Sequence, residues 1–115
     1  MQERPREPYV VHRDELAVRG ELEGFEHGDT GISLIFVDNS PGQGPALHRH
    51  RYDELFVVQE GRATFTAGRQ TIPAEAGHVV VVPAGQPHGF VNSGDGPLRM
   101  IAIHQNPHYA TEWLS

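Results

Sequence analysis

The sequence contains no cysteine. Disulfides, thiolate metal sites and a cysteine nucleophile are all excluded. No apolar run approaches the length that spans a bilayer. The first residues, MQERPREPYVV, lack the apolar centre of a secretory leader. A soluble, cytoplasmic protein with no membrane partner is the resulting expectation. Positive charge is also scarce. Nine Lys and Arg stand against 15 Asp and Glu, for a formal net charge of -6. The electrostatic footprint of a nucleic-acid binder is missing, so no nucleic-acid partner is expected. Long helical periodicity, internal repeats and low-complexity segments are absent as well.

What remains is a chain of short apolar stretches between turn signals. Its 115 residues fit one domain. A hydrophobic fraction of 37% with 21% charged residues suits a globular protein. Residues 1–9 mix charge with prolines and read as an N-terminal arm, leaving 10–115 as a single domain. Strands are expected near VRGELEGFEH, GISLIFVD, ALHRH, ELFVVQ, RATFTA, RQTIPA, HVVVVP, HGFVN and LRMIAIH. Gly, Pro, Asn and Asp clusters separate them. Many short strands with regular punctuation predict an all-β sandwich or barrel. The end, PHYATEWL, reads as one helical turn or a docked tail, with Trp113 and Leu114 covering a sheet edge or a partner subunit. If Glu54 points inward, strand alternation carries Phe56 and Val58 with it. HVVVV does not alternate, which suggests a strand covered on both faces. An outer sheet this apolar invites pairing, so a homodimer is expected.

The chemistry concentrates in ALHRHRYDELFVVQEG. Alternate strand residues share a face, so His48 and His50 can reach one interior point. Glu54 follows a short turn and can reach it from the side. His88 is the best fourth candidate, because VPAGQPHGF ends a buried strand in a turn and returns a histidine to the interior. Three imidazoles and one carboxylate suit one divalent transition metal: Fe, Mn, Ni, Cu, Co or Zn. HRH alone reads more simply as exposed polar residues in a loop. HxH with a glutamate four residues on brings the two readings level.

The spacing around these residues resembles the two motifs of the cupins. Gly42 is followed by five residues, His48, Arg49, His50, three residues, Glu54, six residues and Gly61. Gly77 is followed by five residues, Pro83, Ala84, Gly85, two residues, His88, three residues and Asn92. Every defining position of both motifs is filled, and the spacer between them is short, as in small single-domain cupins. The resemblance implies a double-stranded β-helix, or jelly-roll, cupin barrel with a short C-terminal tail. It implies a metal held by His48, His50, Glu54 and His88. It also offers dioxygenases, isomerases, decarboxylases, lyases and epimerases as precedents. The His3Glu set is similar to those of cupin dioxygenases. On that reading the protein is a metal-dependent, dioxygenase-like enzyme acting on a small organic molecule in the barrel, with Glu54 both ligand and acceptor of an enol proton. The alternatives are a non-redox metal-dependent isomerase or lyase, and a small-molecule-binding cupin without turnover.

The other expectations follow from position. Gly61 reads as a hairpin turn, Pro83 and Gly85 as the turn that aims His88 inward, and Asn92 as a brace. His104 ends LRMIAIH and is a candidate pocket acid or base. The plainer alternative, preferred on sequence, is a histidine bonded to a backbone group at a strand end. His12, His27, His78 and His108 read as surface residues. Phe36, Phe56, Phe65, Phe90, Met100 and Ile103 are candidates for the cavity wall or core. Arg49 lies between two ligands, so parity turns it away, and no anion clamp is evident.

Overall fold

Alternating burial builds the architecture. In a computed structural model, which describes residues 7–115, β4 (Glu54–Glu60) buries Glu54, Phe56 and Val58. β9 (Leu98–His104) buries Leu98, Met100, Ala102 and His104. One face of each strand lies inside, as the period of two requires. The remaining strands are β1 (Glu21–Leu22), β2 (Ser33–Asn39), β3 (His48–His50), β5 (Arg62–Ala67), β6 (Gln70–Glu75), β7 (Val79–Val82), β8 (His88–Asn92) and β10 (Thr111–Trp113). They form two antiparallel five-stranded sheets, ordered β1-β2-β9-β4-β7 and β10-β3-β8-β5-β6. This is the jelly-roll arrangement. Of the expected arm, residues 1–6 lie outside the described residues. Among the described residues, no helix is long and apolar enough to cross a membrane.

The core fills one end of the space between the sheets. Phe65 is fully buried. Its ring lies 4.9 Å from Phe56 and 5.3 Å from Phe90. Val58, Val80, Val82, Leu98, Met100 and Ala102 close around them. The opposite end of the same interior is polar, and it holds the site.

Three local expectations need correction, and a fourth is met on one face only within the chain. VRGELEGFEH yields only β1 before a 3-10 turn at Gly24–Glu26. A Cβ at Gly24 would collide with the carbonyl oxygens of Thr30 and Ile32, so only glycine fits in this close approach. Gly61 has φ of 85°, as a turn needs. It is not a hairpin, however. β4 and β5 belong to different sheets, and Gly61 is the corner between them, with Pro97 too close for a side chain. β7 is covered on one face only within the chain, with Val79 and Val81 more than half exposed. The tail is a strand, not a helical turn. β10 pairs with β3, with Thr111 opposite His50 and Trp113 opposite His48. The docking of the tail at a sheet edge was expected; its ladder was not.

Candidate metal centre

Register brings the site together from both sheets. In one sheet, β3 faces β8 with His48 directly opposite His88. In the other, β4 faces β9 with Glu54 opposite His104. His48 and His50 point inward on alternate positions, and Arg49 between them points out to Glu112, 2.9 Å away. The turn after β7 also behaves as read. Gly85 has φ of 81°, its N–H donates to the His50 carbonyl at 2.7 Å, and His88 follows into the interior. Asn92 braces the next loop through the carbonyls of Asn39 and Gly96.

The structure brings His48, His50, Glu54 and His88 into one buried group, with one ligand atom of each within 4.8 Å of every other. Each imidazole is fixed from behind. His48 Nδ1 lies 2.7 Å from the Ala46 carbonyl, His50 Nδ1 3.0 Å from that of Ala110, and His88 Nδ1 2.9 Å from that of Gln86. A carbonyl only accepts, so each Nδ1 carries the hydrogen and donates it. In the neutral ring, Nε2 is then left with its lone pair facing the interior. This is the orientation a metal ligand needs.

The donor set fits a cation. Glu54 Oε1 sits 3.0 Å from Nε2 of both His50 and His88. A neutral ring with hydrogen on Nδ1 would aim a lone pair at that carboxylate oxygen. The clash is relieved by a further proton on the ring or by a cation in the shared space. His50 Nε2 is also buried without an aligned hydrogen-bond partner despite the short distance. Burial pushes the Glu54 carboxyl up, but its contacts with His104, His50 and His88 outweigh that and hold it far below the usual carboxylate range. Burial lowers the His48 pKa, which favours the neutral ring. At His50 burial acts the same way but is outweighed by the contacts with Glu54 and the Ala110 carbonyl together, and the pKa rises.

His104 joins the site without joining the four. Its Nε2 lies 3.0 Å from Glu54 Oε2, and its Nδ1 lies 2.7 Å from the Tyr52 hydroxyl. The partners are side chains and not the backbone group expected. Tyr52 was missed from sequence, although it shares the parity of His48, His50 and Glu54 and is buried with them. His12 caps a 3-10 turn, His27 bonds Tyr9, His78 accepts from the Glu75 N–H, and His108 stacks on Phe25. None of these enters the cluster.

A cavity of about 750 Å³ opens beside His48, His50 and Glu54, with His104 also in its wall. Phe36, Phe56 and Phe90 border it, with Ile35, Val37 and Trp113. Phe65 and Met100 belong to the core, and Ile103 falls on the opposite face of β9 from Ala102 and His104. No arginine or lysine stands among its described lining residues. Trp113 packs on His48 at 4.9 Å, so the tail forms part of the wall.

Comparison with known proteins agrees with this architecture. A family model for the cupin domain matches residues 35–104, more than half of the chain. The HTH-type transcriptional regulator PuuR of Escherichia coli (strain K12) is 29% identical over 110 residues, covering 89% of this chain and 60% of PuuR. Polyketide synthase CurC of Streptomyces cyaneus is 37% identical over 85 residues, covering 73% of this chain and 52% of CurC. Among solved structures, the oxalate decarboxylase of Bacillus subtilis, with Mn(II) centres, superposes with a TM-score of 0.76 at 28% identity, covering 82% of this chain and 27% of that one. An oxalate oxidase in complex with glycolate gives 0.73 at 22% identity, covering 82% and 53%. The chain thus spans 60% or less of each of these relatives. The motifs, the two-sheet jelly roll and the family match agree: the chain belongs to the cupin domain family.

Proposed function

We propose that the chain binds one divalent transition metal through His48, His50, Glu54 and His88 and acts on a small organic molecule in the adjoining cavity. The observation that carries this reading is the set of three imidazoles held by backbone carbonyls with Nε2 converging on one carboxylate. The Mn(II) centres of the Bacillus subtilis oxalate decarboxylase support a metal of this type. When bound, such an ion supplies Lewis acidity toward a carbonyl or enol oxygen, or electron transfer with O2.

The chain's own residues set the rest. Ile35, Val37, Phe56 and Phe90 give the molecule an apolar wall, and Trp113 covers it from the tail. The lining carries the Glu54 carboxylate and no arginine or lysine, while Asp38 at its edge is exposed and paired with Arg99. That favours a neutral, weakly polar compound, such as an enolisable ketone, over a dianion. Glu54 is ionised and so can accept an enol proton. The imidazoles that depress its pKa also weaken it as a base, so holding the metal is its primary role. We read the activity as dioxygenase-like, with isomerase or lyase chemistry as the non-redox version. The PuuR similarity supports a second reading, a ligand-sensing module without turnover.

The test is a panel of flavonols, diketones and related enols offered to protein loaded with Fe, Mn, Ni, Cu, Co or Zn. Metal-dependent O2 uptake with cleavage supports the dioxygenase-like reading. Anaerobic turnover replaces it with isomerase or lyase chemistry. Saturable binding with no turnover under any metal leaves the sensing module.

A further inference from the structure

We infer that Tyr52 and His104 are positioning residues that aim the Glu54 carboxylate into the metal centre, and that the C-terminal strand holds them through the Ala110 peptide. The inference rests on the reading of the four-residue cluster as a metal site.

The two oxygens of Glu54 have different surroundings. Oε1 faces Nε2 of His50 and His88, while Oε2 lies 3.0 Å from Nε2 of His104. The terminal torsion of a glutamate is broad, so a second contact is needed to fix the carboxylate plane. Counting hydrogens settles what His104 offers. The Ala110 N–H can only donate, and it donates to the Tyr52 hydroxyl at 3.2 Å. Tyr52 has one hydrogen of its own, and His104 Nδ1 lies 2.7 Å away to accept it. The His104 ring then carries its hydrogen on Nε2, toward Glu54 Oε2. The reverse direction, with Nδ1 donating to Tyr52, would leave the hydrogen of the Tyr52 hydroxyl with no acceptor among its described contacts. His104 therefore has the opposite tautomer from His48, His50 and His88. It is a buried imidazole, its centroid 4.8 Å from that of His50, that offers a hydrogen where the other three offer a lone pair, and it lies outside the group of four. His104 Nε2, like His50 Nε2, has no aligned hydrogen-bond partner, so its hold on Oε2 is a 3.0 Å electrostatic contact that steers the carboxylate and leaves Oε1 to the shared space.

The Ala110 peptide serves both halves of the site. Its N–H bonds Tyr52 and its carbonyl accepts from His50 Nδ1. Ala110 immediately precedes β10, which is laddered to β3 across both motif histidines. The family match ends at residue 104, so the segment that ties the site together lies beyond it.

The experiment is a Mn(II) titration of the metal-stripped full chain. Electron paramagnetic resonance follows free and bound ion, and the metal-free melting temperature is recorded in parallel. The variants are Tyr52→Phe, His104→Leu and His104→Gln. Tyr52→Phe and His104→Leu are expected to weaken Mn(II) binding by about 10–100-fold, the usual effect of losing a group behind a ligand, and to change the bound-ion spectrum. His104→Gln keeps an N–H that reaches Oε2 and should recover most of the affinity. A role in packing alone would lower the metal-free melting temperature and leave affinity and spectrum intact. The inference is overturned if Tyr52→Phe and His104→Leu bind within about twofold of the wild type with its spectrum, or if Gln is no better than Leu at position 104. A wild-type chain that binds neither Mn(II) nor any of the other ions overturns the metal reading itself, and this inference with it.

Discussion

Metal-linked stability gives a quantitative prediction. All four candidate donors are buried and preassembled, so a bound ion should stabilise the folded chain over the unfolded one. At a free metal concentration of about 100 times Kd, linkage gives roughly 2.7 kcal/mol. For a chain of this size, at about 4 °C per kcal/mol, that is a rise of about 10 °C in Tm. His50→Ala removes one of four donors, and Glu54→Gln removes the anionic one. A loss of at least about 100-fold in affinity is expected from either, since losing merely a supporting group costs about 10–100-fold. At the same metal concentration the variant then sits near its own Kd. Its gain falls to roughly 0.4 kcal/mol, or about 2 °C. Arg49→Ala is the control. It sits between two candidate ligands in sequence but pairs outward with Glu112, so its shift should match the wild type. The assay is thermal unfolding with chelator and with metal, each protein compared with its own metal-free state so that lost packing cancels. A full shift retained in His50→Ala and Glu54→Gln would refute the ligand assignment.

Three further predictions follow from the same structure. In metal-free protein, the Glu54 contribution to stability is present above pH 4.5 and is lost as pH falls through its depressed pKa, whereas that of His50 is complete below pH 6.5 and is lost as pH rises through its raised one. His48, whose pKa burial lowers, acts in the opposite sense but has regained its contribution by about pH 7, so metal-free Tm should drop from about pH 7 to 8 while metal affinity rises, because His50 must lose its extra proton to bind; a flat metal-free profile across that range contradicts this. Phe65→Ala should cost about 3–5 kcal/mol in denaturant unfolding, as the ring is fully buried between Phe56 and Phe90, and a loss under about 1 kcal/mol would show that the core is not built around it. We propose that the exposed Val79 and Val81 belong to a homodimer interface; light scattering should give a dimer mass for the wild type and a monomer mass for Val79→Lys/Val81→Lys, and a monomeric wild type would remove the proposal.

The four candidate ligands were legible because each is fixed locally. HRH gives two side chains on one face, the turn before β4 presents Glu54, and Pro83 with Gly85 returns His88. What escaped the sequence depends on distant chain. QEGR looks the same whether the next strand pairs with the last or crosses to the other sheet, and only the closeness of Pro97 to Gly61 distinguishes the two. Residues 111–113 show no burial alternation at all, because their strand character comes from the ladder to β3. Tyr52 carried the right parity but no motif position. Its role emerged only when β9 placed His104, 52 residues away, against its hydroxyl. The preferred reading of His104 as a backbone-bonded histidine failed for the same reason.

The central claim is that this cluster holds a metal. Its most direct test is the elemental content of protein purified with neither added metal nor chelator, measured beside the His50→Ala variant. The account predicts close to one equivalent of Fe, Mn, Ni, Cu, Co or Zn in the wild type and little in the variant. No metal in either protein, even after each ion is supplied, would contradict it.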